Sequence, residues 1–269
     1  MARRSGGPLS ALGVHRTLTW ELARRDVLGR YRGASFGLLW SLISPFLLLC
    51  VYTFAFGTVM ASRWPQIESG HAHFSIVLFA GLIVHGFLAE CLMRSPELVV
   101  SNPNFVKKVI FPLEILPWPM TLSALFHAGM NVLVFLALRL LLDGRFDWTV
   151  LLLPLVLLPL VVLSLGMSWF LASLAVYVRD IKQVTAALSM ALLFLSSAMM
   201  PVESIPPGYR WIFRANPLTF IIDQSREVML WGHMPDWAGL GLYLAGAIVA
   251  MVAGWAWFRF TRAGFADVL

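Results

Sequence analysis

The sequence is poor in charge. Only 13% of its 269 residues are Asp, Glu, Lys or Arg, and 59% are apolar, against about 25% and roughly 45–50% in a soluble domain. A water-exposed surface needs more charge than this chain provides. The composition therefore favours a protein whose solvent is the lipid bilayer.

Three further features that the sequence lacks limit the classes of protein it can belong to. The two cysteines, Cys50 and Cys91, lie in different apolar runs without ligand spacing, so neither a disulfide nor a metal site is predicted. The sequence has no G-x-x-x-x-G-K-S/T phosphate loop, so ATP-driven work would need another polypeptide. Residues 1–32 are rich in Arg and lack an apolar centre, which argues against a cleavable signal peptide.

Six apolar runs predict six transmembrane helices. A helix needs ~20 residues to cross ~30 Å of hydrocarbon. Five runs reach that length without a charged residue, and the run from Phe74 does so only by including Glu90. Strands of a membrane barrel would alternate polar and apolar residues, and these runs do not. The predicted fold is an all-α membrane protein with spans at residues 36–60, 74–93, 115–140, 149–178, 183–201 and 237–259.

The distribution of basic residues predicts the orientation. With the amino terminus inside, 14 of the 20 Lys and Arg residues fall on the cytoplasmic side and 6 outside, as expected when both termini are cytoplasmic. Anionic lipid at the inner face accounts for the net charge of +6, and no nucleic-acid motif accompanies it. We expect a cytoplasmic amphipathic interface helix in residues 1–32, a transmembrane domain in residues 33–262 and a cytoplasmic tail in residues 263–269.

The basic segment at residues 10–31 predicts an interfacial helix. Trp20, Ala23, Val27 and Tyr31 share one helical face, and nearby Arg side chains can reach lipid phosphate. Two interpretations stay open: an anchor on the membrane surface, or a docking surface for a cytoplasmic partner.

The inner loop, residues 94–112, contains signals for a short helix. Ser95 at the cap, Pro96 at the first helical position and Glu97 in the first turn would start it. Asn102 and Pro103 would end it. A rigid helix here would let a soluble motor push on the protein, although a plain connecting loop fits the same residues.

The outer segment, residues 201–235, is rich in proline. Its prolines and apolar stretches predict two short, re-entrant helices at the outer leaflet, with a break at Asn216–Pro217. These helices would either gate an exit or cap the bundle.

Polar residues inside the predicted spans favour packing roles. Glu90 and Arg94 are one helical turn apart and predict an ion pair. His85, His127 and Asn131 predict hydrogen bonds between helices, because none has a carboxylate partner at metal or catalytic spacing.

Two other classes of membrane protein fit less well. A secondary transporter would show an inverted repeat and ionisable groups at mid-bilayer, and the sequence has no clear repeat. A membrane-embedded transferase would need convergent acids, bases or ligands. Its best candidates are Asp223, Glu227 and His233, whose spacing matches no ligand motif.

Four stretches of the chain carry a family resemblance. They are ELARRDVLGRYRGASFGLLWSLISP at residues 21–45, then NPNFVKKVIFPLEILP, VYVRDIKQ and IPPGYRWIFRANPLT. In this order the chain resembles, over nearly its whole length, the membrane-spanning subunit of ABC-2 type exporters of bacterial surface polysaccharides, such as O-antigen, teichoic acid or capsule. It departs from the family at residues 196–201, where SSAMMP replaces an SPxxYP-like stretch.

The resemblance implies a permease subunit rather than an enzyme. Such a subunit forms a homodimer that pairs with two copies of an ATPase subunit, which binds ATP and Mg. The complex would move a glycan linked to undecaprenyl diphosphate, most simply an O-antigen, across the bacterial inner membrane. An exporter of teichoic acid, capsule, a drug or a small lipid is the alternative within the class.

The resemblance also implies roles for particular residues, and none of these roles is catalytic, cofactor-binding or metal-binding. Residues 94–105 would be the coupling helix. The residues expected to couple to the ATPase are Arg16, Arg24, Arg25, Arg30, Arg94, Glu97, Asn104, Lys107 and Lys108. The expected channel residues are Tyr52, Phe54, Phe56 and Phe194. The expected outer gate consists of Pro201, Pro206, Pro207, Tyr209, Trp211, Asn216 and Pro217. Arg179 and Asp180 match an Arg-Asp pair of the family and would form an ion pair at the inner face.

Overall fold

The computed structural model describes residues 7–8, 13–52, 54–55, 74–107, 111–144 and 147–269. Within these ranges the chain is helical and has no strand, as the apolar runs predict. The helices are α1 (Arg16–Arg30), α2 (Trp40–Tyr52), α3 (Phe74–Arg94), α4 (Glu97–Val100), α5 (Pro103–Lys107), α6 (Pro117–Asp143), α7 (Leu153–Tyr177), α8 (Ile181–Phe194), α9 (Arg210–Ala215), α10 (Pro217–Arg226), α11 (Trp237–Thr261) and α12 (Phe265–Val268).

Four helical stretches are long and apolar enough to cross a bilayer. They are Phe74–Arg94, Leu113–Leu141, Trp148–Tyr177 and Trp237–Val268, and they coincide with the second, third, fourth and sixth predicted spans. Two other apolar helices, Gly37–Tyr52 and Ile181–Phe194, are shorter. The first predicted span continues through residues 56–60, which lie outside the described residues, so the count of six spans stays a prediction.

The structure corrects the end of the fifth predicted span. Helix α8 ends at Phe194 rather than at residue 201, and its 14 residues cover about 21 Å at 1.5 Å per residue. The side chain of Asn216 lies at this end, where its Nδ2 donates to the carbonyls of Leu192 and Leu195, each at 2.9 Å. These bonds satisfy carbonyls that another helical turn would have used.

Helix α3 lies at the centre of the bundle. It packs against α6, α7, α8 and α10, and most of its side chains are buried in the main hydrophobic core. A displacement of either end of α3 therefore acts on helices on several sides.

Helices α7 and α11 pack closely because glycines face each other. A Cβ on Gly166 would come within 2.6 Å of the Met251 Cα. A Cβ on Gly254 would collide with the Gly166 carbonyl oxygen. Glycine at both positions lets the two backbones touch.

A second, smaller core lies where α4 meets the ends of α7 and α11. Its buried side chains include Val99, Trp169, Phe258 and Phe265. Helix α4 therefore rests on a hydrophobic support instead of belonging to a solvated loop.

Helix α1 packs against α6, but not through the whole predicted face. Thr19 and Ala23 are buried, whereas Trp20 is exposed. Trp20 is thus left exposed on the predicted face, as expected of a helix that lies on a membrane surface or offers a docking surface.

Candidate coupling site

Five charged or titratable side chains from three helices meet beside the last turns of α3. Asp26 and Arg30 come from α1, Glu90 and Arg94 from α3, and His127 from α6. We call these five residues the charge network. Helix α6 packs against both α1 and α3, and the network joins the amino-terminal helix to α3 and α6, two of the long apolar helices.

Glu90 is the centre of the charge network. Its carboxylate accepts hydrogen bonds from Arg30 Nη2 at 2.6 Å and from Arg94 Nη1 at 2.9 Å. His127 Nδ1 lies 3.1 Å from the same carboxylate. Arg94 Nη2 donates in addition to both carboxylate oxygens of Asp26, each at 2.6 Å. The carboxylates of Asp26 and Glu90 are therefore each hydrogen-bonded to at least one arginine.

This geometry confirms two sequence predictions. The ion pair between Glu90 and Arg94 forms as their spacing predicts. His127 makes a contact between helices, as predicted, and its partner is Glu90 of α3, which the spacing along α6 does not reveal. The side chain of His85 contacts the Ser189 carbonyl at 3.0 Å, which is an interhelical hydrogen bond of the predicted kind.

The charge network holds α1 in place because its central group is largely removed from solvent. The Glu90 side chain is only 15% exposed. A buried ion pair contributes little net stability, but removing one partner leaves the other uncompensated and costs about 3–5 kcal/mol. The network is therefore most important as a device that fixes the position of α1 relative to α3 and α6.

Helices α4 and α5 follow α3 directly, and we call them the coupling segment. The predicted cap at Ser95 is wrong: its hydroxyl donates back to the Cys91 carbonyl at 2.5 Å and lies 2.8 Å from Ser168 Oγ. Pro96 has helical angles, φ −59° and ψ −28°, so the chain does not leave the helical region where a cap would act. The predicted break at Asn102 is present, and the sequence missed the second short helix that begins at Pro103.

Two contacts attach the coupling segment to the bundle. Val99 is fully buried in the second core. Glu97 forms an ion pair with Lys182 in the first turn of α8. Asn104 is exposed. Lys108 lies outside the described residues, as does the side chain of Lys107, so their expected roles stay predictions.

The other predicted inner-face residues fall into two groups. Arg16, Arg24 and Arg25 are exposed on α1. Arg30 is also exposed, but its guanidinium is ion-paired to Glu90 in the charge network. Arg179 and Asp180 are exposed in the turn before α8. No ion pair joins Arg179 to Asp180 in this part of the structure, because both side chains extend into solvent.

Two of the four predicted channel residues are exposed on the surface of the single chain. Phe54 is 65% exposed and Phe194 is 56% exposed, whereas Tyr52 is half-buried. Phe56 lies outside the described residues. The helices that carry Tyr52 and Phe194, α2 and α8, both pack against α3.

At the proline-rich segment, residues 201–235, two short helices are separated at Asn216 as predicted. The Asn216 Oδ1 caps α10 by accepting from the Leu218 N–H at 2.9 Å. Among the predicted gate residues, Tyr209 and Trp211 are more than 60% exposed. Pro206 and Pro207 are also exposed, whereas Pro201 is buried and Pro217 is half-buried.

Arg226 is a functional candidate that the sequence reading missed. It is 3% exposed and donates to three carbonyls, those of Val77 at 3.1 Å, Ser197 at 2.7 Å and Ala198 at 3.0 Å. These bonds join α10 to the first turn of α3 and to the chain just after α8. The available signal was the apolar spacing of α10, which places Leu218, Ile222 and Arg226 on one face.

The three transferase candidates do not converge. His233 Nδ1 lies 2.7 Å from Glu227 Oε2, whereas Asp223 lies 3.7 Å from Arg226 Nη1. Throughout the described ranges, no three His, Cys, Asp or Glu side chains are placed to hold a metal ion.

Four helices long and apolar enough to cross a bilayer, packed around the central helix α3, define a helical membrane protein. The chain belongs to the ABC-2 type transporter family, whose sequence profile matches residues 17–230.

Curated relatives match nearly the whole chain. An O-antigen export system permease protein, RfbA, of Klebsiella pneumoniae is 25% identical over 262 residues, which cover 96% of this chain and 97% of the relative. The protein of the same name from Myxococcus xanthus is 24% identical over 94% of this chain and 95% of the relative. The polysialic acid transport protein KpsM of Escherichia coli is 24% identical over 93% of this chain and 95% of the relative.

Proposed function

We propose that this protein is the membrane-spanning subunit of an ATP-driven exporter of lipid-linked polysaccharide, most simply an O-antigen linked to undecaprenyl diphosphate. The observation that carries the proposal is the similarity to O-antigen export permeases over 96% of the chain. The exporter would lie in the bacterial inner membrane with both termini of this chain in the cytoplasm.

The partner in this proposal is a separate ATPase. The sequence has no phosphate loop, so ATP and Mg would be bound by two copies of another subunit that pair with a homodimer of this chain. The coupling segment supports this arrangement, because it continues directly from α3 and its contacts lead into α7, α8 and α11. The exposed Arg16, Arg24 and Arg25 on α1 would face the same subunit.

The substrate path would lie between the two copies. A sugar chain offers hydroxyls and apolar C–H faces, which pack well on aromatic rings. The exposure of Phe54 and Phe194 supports a channel lined from both subunits rather than one enclosed by a single chain. The proline-rich segment would form the gate at the exit.

A capsular polysaccharide is the second candidate substrate. Its support is the similarity to a polysialic acid transport protein over 93% of the chain. Both candidates are long polysaccharides, so either could use a path between the two copies.

Deletion of the gene in its native host tests the proposal. Cells should lose a polysaccharide from their surface and accumulate its lipid-linked form inside, and the affinity-tagged chain should copurify with an ATPase subunit. Complementation should restore the surface polysaccharide, except when the copurifying ATPase carries an inactivating change in its phosphate loop. An unchanged surface polysaccharide, or a chain that transports without any ATPase, would contradict the proposal.

A further inference from the structure

The predicted cytoplasmic tail, residues 263–269, is helical for most of its length and, together with Arg262, continues α11 along the bundle. We call residues 262–269 the carboxyl-terminal segment. A short 3₁₀ turn, Arg262–Gly264, leads into α12. Phe265 is fully buried, with its ring centroid 5.5 Å from that of Phe258 on α11 and 6.1 Å from that of Tyr177 on α7. The segment therefore joins the ends of α7 and α11.

A glycine and a tyrosine fix this turn. Tyr177 Oη donates to the Thr261 carbonyl at 2.7 Å. A Cβ on Gly264 would come within 2.7 Å of the same Tyr177 oxygen, so glycine lets the turn approach α7. The carboxyl-terminal segment is held against α7 by this polar contact as well as by the burial of Phe265.

The same segment contacts the coupling segment. Phe265 and Val99 belong to one buried cluster, against which Phe105 of α5 and Leu269 also pack. Helix α12 packs against α5 as well as against α7. The carboxyl-terminal segment thus forms one side of the hydrophobic support under the coupling segment.

An ion pair attaches the carboxyl-terminal segment to the chain just before α6. Arg262 pairs with Glu114, which lies in the 3₁₀ turn Leu113–Ile115 just before α6. The Glu114 carbonyl accepts a hydrogen bond from Trp169 Nε1 of α7 at 2.9 Å. The 3₁₀ turn Leu113–Ile115, which follows the coupling segment in the chain, is therefore tied both to the carboxyl-terminal segment and to α7.

We propose that the carboxyl-terminal segment positions the coupling segment, with Phe265 as the main positioning residue, so that movement imposed on α4 and α5 reaches α7 and α11. This inference rests on the proposed function. A helix of four residues cannot hold its own position, because isolated short helices are unstable in water. Without Phe265, α4 and α5 lose part of their support and yield to an applied movement instead of passing it on.

The test compares ATP hydrolysis with export in two variants of α12. Phe265→Ala should leave the chain assembled with its ATPase and hydrolysing ATP, while surface polysaccharide in complemented cells falls about tenfold, which is in the range of ordinary coupling energies. Phe265→Leu should restore most of the export. Val268→Ala is the matched control, because Val268 lies on the same helix and is exposed, and it should export normally.

A charge exchange gives a second, milder test. Arg262→Glu should reduce export, and combining it with Glu114→Arg should restore export. Normal export by both Phe265→Ala and Arg262→Glu would overturn the proposal. So would a loss of the assembled complex in Phe265→Ala, since the segment would then serve folding alone. If the unchanged protein itself binds no ATPase and exports no polysaccharide, the proposed function fails rather than this inference.

Discussion

The two polar sites of this protein hold their cations in different ways. In the charge network, Arg94 and Arg30 are bound by carboxylates of Asp26 and Glu90 on side chains from different helices. At the proline-rich segment, Arg226 is bound mainly by backbone carbonyls.

This difference affects how far each site can rearrange when the helices move. Side-chain ion pairs can lengthen or exchange partners as helices shift, and they are screened by water where they are exposed. Carbonyls at helix ends are fixed by the backbone, so an arginine bound by three of them keeps two helices and a loop in one arrangement. We infer that the charge network, although it positions α1, yields to a movement of the helices more readily than the Arg226 site, which moves as a unit with the first turns of α3.

The largest loss of stability is expected when the buried cation of Arg226 is removed. Arg226→Met should destabilise the protein by about 4 kcal/mol, because a nearly isosteric apolar side chain leaves buried carbonyls without donors. Thermal unfolding in detergent would measure this as a lowered midpoint. Arg214→Met, at an exposed position of α9, is the control and should change little. Equal midpoints for the two variants would remove the distinction between the sites.

Removing the charge of Glu90, at the centre of the charge network, should lower the stability of the protein less. Glu90→Gln leaves Arg30 and Arg94 facing a neutral amide, and we expect about 3 kcal/mol of destabilisation. The cost is reduced because the Arg30 side chain is 40% exposed and can be hydrated. The midpoint for Glu90→Gln should lie between those of the Arg226→Met variant and the unchanged protein, and a larger loss than for Arg226→Met would reverse the comparison.

A methyl group beside Arg226 should have a smaller effect. A Cβ on Gly81 would lie 2.8 Å from Arg226 Nη2 and 3.0 Å from the Ala198 Cα. Gly81→Ala should therefore destabilise by about 2 kcal/mol through overpacking. Gly86→Ala on the same helix meets no neighbouring atom and should be neutral or slightly stabilising. Thermal unfolding in detergent would compare the midpoints of the two variants. Equal midpoints would show that the Arg226 site can adjust to the added methyl group.

The smallest effect is expected at the exposed ion pair of the coupling segment. Glu97→Gln removes the partner of Lys182, and both side chains are at least half exposed. Such pairs contribute about 0.5 kcal/mol, and salt removes the contribution. The difference in midpoint from the unchanged protein should vanish at high ionic strength. A persistent difference comparable with that of Glu90→Gln would show that the coupling segment is held as firmly as the charge network.

Local sequence signals predicted the features that depend on neighbouring residues. The lengths of the apolar runs gave four of the predicted spans, because hydrocarbon thickness sets how long a helix must be. The ion pair between Glu90 and Arg94 followed from the four-residue spacing of one helical turn. The break at Asn216 followed from the proline after it.

The particular partner of a side chain on another helix could not be predicted, even where an interhelical contact was expected. The spacing along α6 could not show that His127 meets Glu90 of α3. The patterns of the other helices likewise could not show that Trp20 is exposed, that α8 ends against Asn216, or that Arg226 reaches the start of α3. Each of these depends on the rotation and register of two helices, which the pattern of either helix alone does not determine.

The sequence by itself therefore determined an apolar helical membrane protein with a basic amino-terminal helix and a family resemblance across its length. Only the tertiary structure decided how its charges are paired and that residues 262–269 support the coupling segment. The physical reason is that burial and helix formation depend on local composition and spacing, whereas contacts between distant residues depend on how whole helices pack.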